Sequence, residues 1–356
     1  MKKIFFPLFF SCILYPAACI LPLSADEVST ATLVSTAPWV QPLKIYDLKD
    51  GPGFCIFGGW SGKPFNTEAA FRSVIWKSDV VYVGETHDQI KDHLAQLEAL
   101  KALRVVRGVK VAVGFEMLNM TLQPVLDDYV FGKLSEEEFL QKADWAKEWG
   151  GDFGLYKPLF DFIIQNKLKA LALNVPKKIV SKIARAGLAG LDAEDKKFLP
   201  EPVNISKHKK YLEFLKASFD GYGGAPPSAP APKTGSESLA DSAQAGGGNS
   251  RMAKLFTWDN YLASMCAWNE GMGSKVAEFV NANPGWSVLV VAGNGHVIYN
   301  ATIPASVKSR TKKIRQASFY TEDAAKCPAV FPKENKDMAN YLWYIRHSTP
   351  VKADAK

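Results

Sequence analysis

Four apolar runs constrain the fold of this chain more than any other feature. They are Val80–Val83 (VVYV), Lys110–Phe115 (KVAVGF), Leu168–Leu173 (LKALAL) and Ser287–Ala292 (SVLVVA). Each is short, bounded by turn residues and free of the in–out alternation of a half-solvated strand. Runs of this kind are strands buried on both faces. Helical spacing separates them, as in Leu94, Leu97, Leu100 and Leu103. Strands alternating with helices predict an α/β fold: a mostly parallel central sheet flanked by helices. Ile314–Tyr320 (IRQASFY) and Tyr341–His347 (YLWYIRH) read as further strands at an edge. The stretches 121–148 and 179–219 read as helices outside the sheet, which places a small helical subdomain at about 121–219.

The polar residues of this pattern fall where a site would lie. Ligands of open α/β sheets bind beyond the carboxyl ends of the strands. The first run ends Gly84-Glu85-Thr86-His87-Asp88, the second Phe115-Glu116-Met117, the third Asn174-Val175-Pro176 and the fourth Gly293-Asn294-Gly295-His296. Buried carboxylates and imidazoles are costly unless paired or liganded. Glu85, His87, Glu116, Asn174 and His296 at equivalent strand ends are therefore the candidate site. The competing reading makes Glu85 and Glu116 caps or salt-bridge partners and the two histidines satisfied core residues. His93 reads as structural or exposed, and His208 and His347 as surface or edge residues. Two His and two carboxylates suit either a transition metal such as zinc or manganese or the acid–base pair of a hydrolase. There is no HExxH, nucleophile elbow, P-loop or dinucleotide fingerprint.

Composition narrows the class. With 356 residues, 47% hydrophobic and 22% charged, the chain is neither disordered, collagen-like nor a coiled coil. The formal charge of +7 is mild and interspersed with acids, so no nucleic-acid partner is expected. Part of it lies in Lys2-Lys3, which opens a leader. An apolar Ile4–Leu23 run broken by two prolines and a small-residue Leu23-Ser24-Ala25 end follow. Residues 1–25 thus read as a secretory signal peptide, 26–45 as a flexible lead-in and Gly221–Asn249 as a disordered insertion. The fold then spans 46–320, with 321–356 a C-terminal extension carrying an edge strand. Ala17-Ala18-Cys19 is a candidate lipidation site, and membrane contact is expected only if Cys19 is lipidated. Among Cys55, Cys266 and Cys327 two can pair and one is left over; spacing does not say which.

Taken in order, several segments resemble the ChaN-like family of exported, iron-regulated haem-binding proteins. They are Val83–Asp88 (VGETHD), Gly114–Leu118 (GFEML), Gln123–Tyr129 (QPVLDDY), Trp149-Gly150, Tyr156–Leu159 (YKPL), Leu173–Pro176 (LNVP), Trp268–Met272 (WNEGM), Ala292–Tyr299 (AGNGHVIY) and Ile303-Pro304. The resemblance covers about residues 75–320. It lies within a wider superfamily of metal-dependent proteases and hydrolases that includes Tiki, TraB and erythromycin-esterase-like proteins. The resemblance implies an α/β core with a helical subdomain, haem binding, often as a homodimer, and a role in haem or iron acquisition or storage. It also implies a periplasmic or lipid-anchored location and an outer-membrane haem receptor or transporter as partner.

A haem site needs an axial ligand, flat apolar walls and cations for the propionates. Tyr299, three residues after His296, is the first candidate ligand, with His87 and His296 as the others. Trp145, Trp149, Trp258, Met265, Trp268 and Met272 offer apolar mass, and the run Lys308–Arg315 offers cations. The leading expectation is a haem-binding protein. The alternative is a metal-dependent hydrolase or protease using Glu85, His87, Glu116 and His296, and a third reading is an exported scaffold.

Overall fold

The computed structural model describes residues 43–44, 53–65, 67–222 and 257–347. The expected signal peptide with Cys19, almost all of the expected 26–45 lead-in and nearly all of the expected 221–249 insertion lie outside the described residues.

Seven strands form one sheet. They are β1 (Gly53–Gly58), β2 (Val80–Glu85), β3 (Val111–Asn119), β4 (Lys169–Asn174), β5 (Ser287–Gly293), β6 (Gln316–Asp323) and β7 (Tyr341–Ile345). Their order is β1-β7-β6-β2-β5-β3-β4. Only β1, antiparallel to β7, departs from a parallel arrangement. The fold is α/β, as the runs predicted, and the four core strands lie together on one side of β6. Their registers bring the site residues level: Glu85 pairs with Gly293, and Phe115 with Val291.

Helices cover both faces, which is why β2, β3 and β5 are apolar up to their carboxyl ends. One face carries α1 (Glu68–Lys77), α2 (Ile90–Arg107), α3 (Gln123–Val130), α4 (Glu136–Lys142), α5 (Trp145–Glu148) and α6 (Phe153–Gln165). Against them pack Val81, Val83, Val113, Phe115, Leu289 and Val291. The other face carries α7 (Lys177–Ala186), the one-turn α8 (Ala193–Lys196), α9 (Lys209–Tyr222), α10 (Trp258–Ala282) and α11 (Ile303–Arg310). It receives the alternate residues Val80, Tyr82, Ala112, Val288 and Val290, the period of two of a strand. Local signals set helix starts. Thr67 caps α1 by accepting the Ala70 N–H, and Ser135 with Glu138 forms a capping box on α4.

Three expectations need correction. Tyr341–Ile345 is not an edge strand: β1 pairs on its outer side, so the edges are β1 and β4. The segment after residue 320 is not an extension, since β6 runs to Asp323 and β7 completes the same sheet. The helices of 121–219 do not form a subdomain apart from the sheet, because the expected strand β4 lies among them and they pack on the two faces of the sheet. The strand β1 itself went unread. Its sequence GFCIFG is short and flanked by glycines, and its burial comes from α9, α10 and the far end of the chain. A disulfide joins its Cys55 to Cys327, and Cys266 is the free, buried thiol.

Candidate functional site

The carboxyl ends of β2, β3 and β5 bring Glu85, His87, Glu116 and His296 into one cluster. Glu85 is fully enclosed. Its Oε1 accepts from the Tyr156 hydroxyl and from His87 Nδ1, both at 2.7 Å. Its Oε2 accepts from Gln96 Nε2 at 2.6 Å, with His93 Nδ1 at 3.5 Å. Burial alone would raise this carboxyl, but the charge of His93 and the bond from His87 outweigh it and hold Glu85 below its ordinary range. Because Glu85 is an acceptor, it fixes the proton of a neutral His87 on Nδ1 and turns the Nε2 lone pair outward. Nε2 has no hydrogen-bond partner among the described residues, and the side chain is 20% exposed. Burial disfavours the charged imidazole, yet Glu85 and Glu116 raise its pKa overall. The Trp149 ring packs edge-on at 4.7 Å. A Cβ at position 293 would lie 2.8 Å from His87 Cε1, so glycine there leaves room for the imidazole.

Glu116 forms the second half. Its Oε2 accepts the Gly293 N–H at 2.7 Å, and its Oε1 lies 3.2 Å from His296 Nε2. Burial pushes this carboxyl up, but His296, His87 and the Gly293 amide bring it down to about 2. His296 Nδ1 meets Asn269 Oδ1 at 2.7 Å. The Asn269 amide nitrogen already donates to the Met265 carbonyl and the Tyr211 hydroxyl, so the oxygen must face the imidazole. Both nitrogens of His296 therefore face acceptors, and the ring serves as the partner of Glu116. Trp268 packs edge-on against it at 5.1 Å. Asn174 backs the pair by donating from Nδ2 to the Glu116 carbonyl at 2.7 Å while its Oδ1 accepts the Val175 N–H.

Tyr299 stands elsewhere. No hydrogen bond or ring contact joins its side chain to the four cluster residues. Tyr299 and Asn300 both take positive φ, +58° and +52°, and this left-handed step turns the chain away from the sheet end. The Tyr299 N–H donates to the Met338 carbonyl. Its half-buried ring stacks on His208 at 5.6 Å, and Lys210 Nζ lies 5.8 Å from the ring centre. Its hydroxyl has no hydrogen-bond partner among the described residues. Burial and Glu213 raise the phenol above its ordinary value. His208 Nδ1 accepts the Tyr211 N–H at 3.3 Å, so the neutral ring carries its proton on Nε2 as a donor.

Several residues escaped the sequence reading or took other roles. Of the two readings of His93, structural or exposed, the structure shows a buried ring that bonds to both Gln96 and the His87 carbonyl. Tyr156, Gln96 and Asn269 come from helices, and only the His93–Gln96 polar pair on an apolar helix face could have hinted at them. Trp149 and Trp268 frame the two histidines, whereas Met272 is core and Trp258 packs on Tyr261 and Phe219. The basic run does not gather at the strand ends: Arg310 pairs with Glu270 and Arg315 with Asp79, before β2.

His347 is not a bare edge residue. Its Nε2 donates to Asp92 Oδ1 at 3.1 Å, and Asp92 Oδ2 accepts the Thr86 N–H at 2.7 Å. This links β7 to the loop that carries His87. Burial lowers the imidazole's affinity for a proton, but Asp92 and Asp323 prevail and raise its pKa. Its stabilising contribution is complete below the unfolded value near 6.5 and fades as pH rises through the folded value. His347→Ala should therefore cost about 2 kcal/mol at pH 6, with the gap to the parent narrowing by pH 9. Paired urea melts at the two pH values check this, and a constant gap would sink it.

Among the described residues no three His, Cys, Asp or Glu side chains converge to hold a metal ion. None of the described helices is long and apolar enough to cross a membrane.

A family model described as "Haem-binding uptake, Tiki superfamily, ChaN" matches residues 73–307. Among solved structures, ChaN of Campylobacter jejuni, described with cofacially bound haem, superposes with a TM-score of 0.56. The two share 16% identity over 83% of this chain and 97% of that one. An erythromycin esterase, EreC, gives a TM-score of 0.40 at 12% identity, over 84% and 85% of the two chains. No curated protein matches the sequence.

Proposed function

The chain belongs to the haem-binding uptake family ChaN of the Tiki superfamily, and from that premise we propose that it binds ferric haem through Tyr299. The observation that carries this reading is the Tyr299 hydroxyl, half-buried and without a partner among the described residues, on a ring flanked by His208 and Lys210. A phenolate is an accepted axial ligand of ferric haem. The Nε2 donor of His208 suits a propionate oxygen, Lys210 would exchange its contacts with Asp337 and the Lys336 carbonyl to meet another, and Phe214, Met265, Phe331 and Met338 in the same cluster supply apolar surface. The residues present thus fit the group.

The other candidates are less suited. His296 has both nitrogens engaged, and ligation would break the Glu116 pair. His87 keeps a free Nε2 and is the second candidate, on the separate strand-end cluster. Bound haem would supply ferric iron as the acceptor of the phenolate; the protein's part is to release the Tyr299 proton and shield the face. Since burial and Glu213 raise that phenol, haem affinity should rise with pH.

Family membership further supports a chain exported after loss of residues 1–25. It would hold haem at the cell envelope for acquisition or storage and pass it from or to an outer-membrane receptor or transporter. The cofacial haem of the Campylobacter jejuni protein supports a homodimer in which two haems face one another.

Titration of ferric haem into the apoprotein should give a saturable Soret shift. Tyr299→Phe should weaken binding at least about tenfold, equivalent to about 1.4 kcal/mol, and remove the phenolate-to-iron charge-transfer band. His87→Ala should leave that band intact. If Tyr299→Phe binds like the parent while His87→Ala does not, the ligand is His87 and the Tyr299 reading fails. Non-saturable adsorption would sink haem binding altogether.

A further inference from the structure

One face of α10 opens onto a cavity of about 290 Å3 that neither the strand-end cluster nor Tyr299 accounts for. Cys266, Asn269 and Glu270 are three and four residues apart, so they share that face, and Tyr211 of α9 forms the facing wall. All four are buried. Their hydrogen-bond capacity is only partly used. The Tyr211 hydroxyl accepts from Asn269 Nδ2 at 2.9 Å, and among the described residues nothing accepts its own proton. Burial pushes this phenol well up, so it remains a donor. Glu270 Oε2 is held by Arg310 and by Asn204 Nδ2, while Oε1 has no partner among the described residues. A buried phenol donor and a carboxylate oxygen that solvent reaches both face this one space, so a single ligand can complete both.

Charge and size narrow the class. Arg310 balances Glu270, and burial lifts the Cys266 thiol to about 11, so the walls are neutral overall. A cation or an anion would enter without a counter-charge. The volume lies at the lower limit of small-molecule sites and is far too small for a porphyrin. We propose that this cavity binds a small uncharged polyol, between a triol and a pentose in size. One of its hydroxyls donates to Glu270 Oε1, and another of its oxygens accepts from Tyr211. The site is independent of haem. It adjoins the cluster through Asn269, whose Oδ1 meets His296.

The full-length apoprotein, titrated calorimetrically with D-ribose and with glycerol, tests this. Ribose should bind saturably at one site and slow iodoacetamide labelling of Cys266, read on its own peptide by mass spectrometry. Tyr211→Phe and Ala305→Met should each weaken ribose at least about tenfold. Tyr211→Phe removes only the hydroxyl. Ala305 is an exposed residue of the cavity rim, so its enlargement plugs the site without touching the core, and unchanged thermal melts confirm folding. Absence of saturable binding and of Cys266 protection with both polyols overturns the proposal. So does equal affinity in the two variants. Tighter binding of ethanolamine or glycolate than of ribose overturns the uncharged class.

Discussion

His296→Ala should lower stability at pH 7 by about 3–5 kcal/mol, the scale of a broken buried ion pair. The substitution strands the Glu116 carboxylate, 2% exposed, with the Gly293 N–H as its one remaining donor. Its pH dependence is equally specific. Glu116 is held at about 2 in the folded chain, against about 4.3 unfolded. A depressed carboxyl stabilises fully above the unfolded value and loses that contribution as pH falls through the folded one. The parent should therefore lose about 3 kcal/mol between about pH 5 and pH 2 from this group. Most of that loss should vanish in His296→Ala, whose Glu116 keeps only the weaker influence of His87 and the Gly293 amide. Urea midpoints at pH 7, 5 and 3 measure both effects. A variant within about 0.5 kcal/mol of the parent at pH 7 would show the pair to be energetically idle.

Breaking the Cys55–Cys327 bond is the second large effect. The bridge spans 272 residues, and the chain-entropy model assigns about 5 kcal/mol to closing so long a loop. Cys327→Ser, or reduction of the parent, should lower the denaturation midpoint by a comparable amount. Amide exchange should rise first in Gly53–Gly58, because β1 is an edge strand whose one strand neighbour among the described residues is β7. The reading fails if reduction leaves both the midpoint and β1 protection unchanged.

The sequence was most transparent where both faces of a strand are covered. Near-uniform burial made β2, β3 and β5, and less completely the edge strand β4, readable as apolar runs, and their shared polarity at the carboxyl ends pointed to Glu85, Glu116 and His296. Strand neighbours were less legible. Whether Tyr341–Ile345 is central or marginal depends on β1 arriving from some 280 residues earlier, and nothing local encodes that. The site's supporting shell was hidden for the same reason. Tyr156 and Gln96 reach Glu85 across tertiary contacts, and Asn269 reaches His296 from α10. Tyr299 shows the opposite failure. Three residues from His296 in sequence, it is carried to another surface by two positive φ values.

The pairing of β1 with β7 has a consequence for how the molecule is made. β1 has no strand neighbour until β7 exists, and β7 in turn docks on β6. A nascent chain interrupted between β6 and β7 leaves the β6 edge open and β1 unhoused. Contacts this remote in sequence form slowly, because the intervening loop must close first. The sheet thus cannot seal until residues 341–345 are present, which makes β7 the closing bolt of the fold.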